Sequence, residues 1–273
     1  MDMKIPAAET QASTGTTTTD TAKRRGWRIA AVSFWILGFL LLVVSCVIVH
    51  SHPKPYAIDL TTTQTVQGLH VMPWINYVLV FPSLLNNPYP AGIALAVWLV
   101  FMVLMGFALQ ARGKSPIKWF NAAFFLIAST LISAGFNYVI DEIVARPRPD
   151  PREFHIQVHT GIIPIPTYPS GHTEHDVVFY GFLLYLSFSE TIRKWRYRWL
   201  LIPLQIYAAF DILSIGYSRV LQGDHWLTDV LSGYLEGALY LCLFIYLYRL
   251  ASGKLVEWQA KREAEKSAQT ELL

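Results

Sequence analysis

Cysteine is almost missing from this chain of 273 residues: there are two, Cys46 and Cys242, each inside an apolar run. Neither a disulfide framework nor a zinc site follows from that number and placement. Charge is scarce too, at 15% of residues against 53% hydrophobic, with a mean hydropathy of +0.35. Such a composition is foreign to ordinary soluble domains and belongs to a polytopic membrane protein. The chain also lacks a basic aromatic RNA-binding motif and a helix-turn-helix pattern, so no nucleic acid partner is expected. The formal net charge of +3 says little by itself, because the charges are segregated along the chain.

Residues 1–22 are rich in Thr, Ser and Ala, with Thr16 to Thr19 in a row. They hold too little apolar surface to offset the entropy of ordering, which predicts a disordered tail over 1–28. Lys23, Arg24, Arg25 and Arg28 close that tail, and the apolar run Ile29–Val49 follows. The run is long for a signal peptide and no Ala-x-Ala site follows it, so it reads as a first transmembrane helix. Further spans of membrane-crossing length fall at roughly 90–110, 119–140, 173–189, 199–217 and 229–248.

With a cytoplasmic tail, the inner segments are 1–28, 111–118, 190–198 and 249–273. They contain every Lys and Arg except Lys54, Arg146, Arg148, Arg152 and Arg219. The positive-inside rule then gives an all-α protein of six transmembrane helices with both termini cytoplasmic. Trp27, Trp119, Trp195 and Trp199 fall at the inner boundaries, where an aromatic belt belongs. The stretch Val71–Leu85 is apolar but short and broken by Pro73 and Pro82, so an interfacial or re-entrant segment on the outer side is expected.

Three polar clusters land on the outer face of that topology. Arg146-Pro147-Arg148-Pro149 follows the third span, where the prolines force the backbone out of helix and Arg148 offers a planar fork of donors for phosphate. Pro169-Ser170-Gly171-His172 opens the fourth span. The amides around Ser170 and Gly171 suit an anion, and His172 sits where it can protonate a leaving oxygen. Ser218-Arg219 ends the fifth span and His225 precedes the sixth, with Asp224 expected as its N-cap. Asp229, four residues after His225, is placed to accept the Nδ1–H of the imidazole and leave Nε2 free to attack.

Arg148-Pro149, Pro169-Ser170-Gly171-His172 and Ser218-Arg219-x5-His225-x3-Asp229 resemble the three signature motifs of the type 2 phosphatidic acid phosphatase (PAP2) superfamily. The resemblance covers roughly residues 119–250. It implies a PAP2-like catalytic bundle at 119–250, preceded by two spans with an outer loop over 29–118 and followed by a cytoplasmic tail at 251–273. By the same resemblance His225 is the nucleophile, Asp229 orients it and His172 is the general acid. Arg148, Ser170, Gly171 and Arg219 hold the phosphoryl oxygens, with Arg146 and Ser218 as accessory residues. No metal and no cofactor are implied. The implied activity is hydrolysis of a phosphate or diphosphate monoester on a membrane lipid through a phosphohistidine. The implied site faces periplasm, lumen or cell exterior, with a bacterial inner membrane preferred. A phosphotransferase of the same family and a non-catalytic lipid-binding member stay open as alternatives.

One position departs from the pattern. The family's first motif opens with a lysine seven residues before Arg148, and here that residue is Asp141. Three readings stay open: Arg146 or Arg152 supplies the missing positive charge or pairs with Asp141, the site takes a different head group, or activity is weak. His155 and His159 have metal-like spacing only if that segment is helical. Tyr217 and Trp226 are expected as interfacial anchors beside the third motif.

Overall fold

The computed structural model describes residues 15–159, 165–194 and 196–271, which leaves Trp195 and residues 1–14 of the expected tail outside the described residues. Helix α1 runs Gly15–Ser51, α2 Ala57–Gly68, α3 Pro73–Leu85, α4 Pro88–Ala111 and α5 Ile117–Val144. After them come α6 (Pro151–Phe154), α7 (Gly171–Ser187), α8 (Glu190–Arg193), α9 (Ile202–Leu221) and α10 (Leu227–Glu271). The chain divides into two compact units, 1–41 and 42–273. In the first, Trp35 stacks on Phe39 one helical turn away, with ring centroids 5.6 Å apart.

Among the described residues, five helices are long and apolar enough to cross a membrane: Arg25–Ser51, Pro88–Ala111, Ile117–Val144, Arg198–Leu221 and Leu227–Gln269. The sixth expected span is α7, which has 17 residues and so measures roughly 26 Å. It packs against α5, α9 and α10, so protein rather than lipid surrounds much of it. That position explains how a short helix carries Glu174 and Asp176, both almost fully buried. Buried charge-bearing groups in an apolar span need partners. Asn86 donates to Asp176 and to the His172 carbonyl, and on α10 Glu236 accepts from Asn137 of α5 at 2.8 Å. By contrast, Ile93, Val97, Val100, Leu104 and Phe107 of α4 recur every three or four residues and are exposed. They form one apolar stripe suited to lipid.

Val71–Leu85 does contain a helix, α3, but its 13 residues are too few to cross a bilayer. It lies against α9 and α4. The main apolar core joins Met102 of α4, Phe125 and Leu126 of α5, Phe179 and Phe182 of α7, and Phe244 of α10. Two glycines set how closely α10 approaches α7. A Cβ at Gly233 would stand 2.6 Å from the Ser170 carbonyl oxygen, and one at Gly237 would stand 2.9 Å from that of Glu174. The spacing of four puts both on one face, and the lack of side chains lets the two backbones touch there.

Candidate functional site

The C-terminal ends of α5 and α9 and the N-terminal ends of α7 and α10 meet at one end of the bundle, and all three polar clusters gather there. Helix α5 stops at Ala145, whose left-handed backbone (φ 51°) turns the chain into the Arg-Pro-Arg-Pro stretch. Pro147 and Pro149 keep that stretch extended. It is tied to the segment before α7 by the Thr167 N–H donating to the Arg146 carbonyl at 3.0 Å.

His225 is almost wholly buried, and its ring is held from one side only. Nδ1 lies 2.9 Å from the Thr167 carbonyl oxygen. A carbonyl can only accept, so Nδ1 carries the proton and Nε2 keeps its lone pair. Nε2 is buried without a hydrogen-bond partner. The expected direct bond to Asp229 is not made: its Oδ2 stands 3.8 Å from Nδ1. Thr167 lies between them, its hydroxyl 2.9 Å from Nδ1 and donating to Asp229 Oδ2 at 3.0 Å. Asp229 therefore acts on the ring through Thr167, a residue that the motif spacing did not single out.

Asp224 is not the N-cap of α10, which begins at Leu227. The Asp229 side chain caps instead, accepting the Trp226 N–H at 2.8 Å. Asp224 bridges the two arginines. Its carboxylate pairs with Arg219 at 2.8 Å, and its carbonyl accepts from Arg148 Nη1 at 3.0 Å. Arg148 also donates to the Ile165 carbonyl. Arg219 Nη1 donates to Ser83 of α3 at 2.7 Å, while its Nε is buried with no partner. The Ser218 hydroxyl is turned to Gln222 at 3.3 Å.

Across from His225, the His172 ring lies 6.3 Å away between centroids, close enough for one phosphoryl group to meet both. Ser170 is the N-cap of α7, and Pro169 precedes it rather than occupying the first turn. The Ser170 N–H is already given to the Asp229 carbonyl at 3.0 Å, so it is not one of the anion-binding amides. The amides from Gly171 to Thr173 have no acceptor within their own helix. Gly171 is needed for space as well, since a Cβ there would stand 2.7 Å from Asn137 Oδ1.

Arg146 is not oriented for phosphate. Its guanidinium is completely buried and ion-paired with Asp229 on one side and Asp59 of α2, at 2.7 Å, on the other. Thr228 Oγ1 and the carbonyls of Pro53 and Lys54 take its remaining donors. All five N–H groups of the fork are thus used. Arg152 does not supply the missing charge either, because it is 77% exposed and paired with Asp150. Neither arginine pairs with Asp141, which sits in the last turn of α5 with Oδ1 buried and unpartnered. His155 and His159 lie beyond the end of α6 and do not share a helix face. Trp226 is 1% exposed and packs edge-on against Phe154 at 5.5 Å, so it is a core residue and not an interfacial anchor.

The field at His225 favours the neutral ring. Burial acts first, then the nearby Arg148 and Arg219, and together they hold its pKa well below the ordinary value of 6.5; the Thr167 carbonyl opposes them. Burial lowers the pKa of Arg148 as well, against the pull of Asp224, Asp141 and Asp229. The Arg146 guanidinium moves the other way, because Asp229 and Asp59 overcome its burial.

The PAP2 superfamily model matches residues 122–252. Among solved structures, the crystal structure of a transmembrane PAP2 type phosphatidylglycerolphosphate phosphatase from Bacillus subtilis is similar, with a TM-score of 0.56 at 20% sequence identity. The similarity covers 81% of this chain and 96% of that one. No curated protein matches the chain. With its long apolar helices and this fold, the chain is an integral multi-pass membrane protein.

Proposed function

We propose that this chain, whose residues 122–252 match the PAP2 superfamily model, is a PAP2-type membrane phosphatase acting on a lipid phosphate or diphosphate monoester. The observation that carries the reading is the buried His225, with Nδ1–H held by Thr167, Nε2 unpartnered and His172 opposite. His225 Nε2 attacks phosphorus, and the bond from phosphorus to the leaving oxygen breaks as His172 gives that oxygen a proton. Water then attacks the phosphohistidine while His172 takes up its proton. The P–N bond breaks, inorganic phosphate leaves and His225 is restored. Arg148, Arg219 Nε, the Gly171 amide and the Ser170 hydroxyl stabilise the phosphoryl oxygens, and Ser218, whose hydroxyl is given to Gln222, is not among them. Asp229 orients the nucleophile through Thr167.

The distribution of basic residues supports both termini in the cytoplasm and the site on the opposite face of the membrane. A lipid reaches such a site laterally, and the similar Bacillus subtilis protein is itself named for a lipid phosphate. The test is a panel of phosphatidate, phosphatidylglycerophosphate, an isoprenyl diphosphate and a water-soluble sugar phosphate, each labelled in phosphate and assayed in EDTA. Free inorganic phosphate from one of the lipids is the expected outcome. Label carried to a second lipid or sugar marks a phosphotransferase instead, and strict dependence on a metal contradicts the mechanism.

The same assay has an expected pH profile. The attacking form of His225 is neutral and its pKa is depressed, so the acid limb of kcat/KM lies well below pH 6.5, while loss on the alkaline side belongs to deprotonation of the acid His172. An acid limb at or above 6.5, after correction for ionisation of the substrate, contradicts this assignment.

A further inference from the structure

We propose that Asp59 of α2 is a positioning residue for the reaction: through Arg146 it fixes Asp229 and keeps a net negative charge behind His225. The inference rests on the reading of His225 as nucleophile. Asp59 lies in the segment between α1 and α3, far in sequence from every motif, yet it is fully buried. Its Oδ2 accepts from Arg146 Nη2 at 2.7 Å and from the Tyr56 N–H at 3.0 Å. Its Oδ1 accepts the Thr228 N–H and hydroxyl, each at 2.9 Å. Asp59 therefore holds both the guanidinium that grips Asp229 and the first turn of the helix that carries Asp229.

Charge gives the arrangement its consequence. Arg146 alone would cancel the charge of Asp229 and leave a neutral pair behind Thr167. With Asp59 the buried set is one cation between two anions, a net charge of minus one. That charge favours the positive ring that develops when His225 bonds to phosphorus. The other charged and titratable groups around His225 are Arg148 and Arg219, which oppose a positive ring, Asp224, which pairs with Arg219, and His172. Phosphate-binding groups do not touch Asp59, so its effect belongs on the chemical step and not on substrate binding.

The test is Asp59→Asn in the full-length protein, reconstituted in lipid vesicles. The amide keeps the size of the side chain and one accepting oxygen and removes the charge; one of the two donor pairs, Arg146 with Tyr56 or the two of Thr228, loses its acceptor, so the acid limb and the ring titration carry the charge readout. The expected result is a fall in kcat of roughly tenfold to a hundredfold, with KM within about twofold and the acid limb of kcat/KM moved to lower pH. Asp59→Glu, which keeps the charge, is expected to return the acid limb to its wild-type position. An unchanged kcat per folded enzyme with an unmoved acid limb, as a merely structural role would give, overturns the proposal. NMR titration of the labelled His225 ring reads the same charge effect without turnover. A downward shift in Asp59→Asn supports the proposal, and no shift overturns it. Turnover by His225→Ala would instead remove the underlying reading, so the two failures are distinguishable.

Discussion

Replacing His225 with alanine abolishes phosphate release, a loss on the order of 10⁴-fold or more, while the protein still inserts and folds. The side chain supplies the atom that bonds to phosphorus, and among the described residues no second imidazole has its Nδ1 fixed by a carbonyl and its Nε2 buried and unpartnered. Stability suffers much less. The substitution leaves the Thr167 carbonyl without its donor, at a cost of about 1–3 kcal/mol, and opens a small cavity beside Thr167. Loss of activity with an intact thermal transition in detergent is therefore the expected pair of results. His172→Ala should fall by a smaller factor, about 10² to 10⁴, and least for a diphosphate substrate, whose leaving group needs the proton least.

Arg146→Ala is expected to be the most destabilising single substitution in the site, by about 3–5 kcal/mol. Asp59 and Asp229 would then be two buried carboxylates with no cation between them. Five hydrogen bonds disappear in the same change, which leaves the direct bonds from Thr228 to Asp59 as the link from α2 to the start of α10. Lysine at 146 should recover part of the loss, because one ammonium keeps the charge but cannot fork toward both carboxylates. Arg152→Ala is the control: that side chain is exposed and among the described residues its ion pair is with Asp150, so the effect should stay within about 0.5 kcal/mol. Thermal or denaturant unfolding of the three variants in one detergent checks the order.

Much of the architecture was legible because a membrane imposes simple rules on sequence. The apolar runs marked four of the five long helices and the first helix from Ile29, and the polar breaks between them marked the ends where Arg148, His172 and His225 gather. The motif residues were legible as chemistry because few other reactions need arginines, two histidines and a carboxylate at the edge of a bilayer. What sequence could not show are the contacts between distant segments. Thr167 accepts from His225 across 58 positions, and Asp59 reaches Arg146 across 87. No local pattern encodes either.

Local signals also misled where one side chain had two suitable uses. Asp224 looks like an N-cap, but Arg219 claims its carboxylate and Asp229 reaches back to cap the helix. Arg146 looks like a second phosphate ligand beside Arg148, but the buried carboxylates on either side take its whole fork. Trp226 has the composition of an interfacial anchor, yet α6 brings Phe154 over it and closes the core.

The most direct test of the account is to trap the enzyme during turnover with a lipid substrate labelled in its phosphate. Rapid quenching in alkali should leave label on the protein in a form stable to base and lost in acid, as a phosphohistidine is. Peptide mapping should place it on His225, and His225→Ala should carry none. Label on any other residue, or full turnover of substrate by His225→Ala, contradicts it.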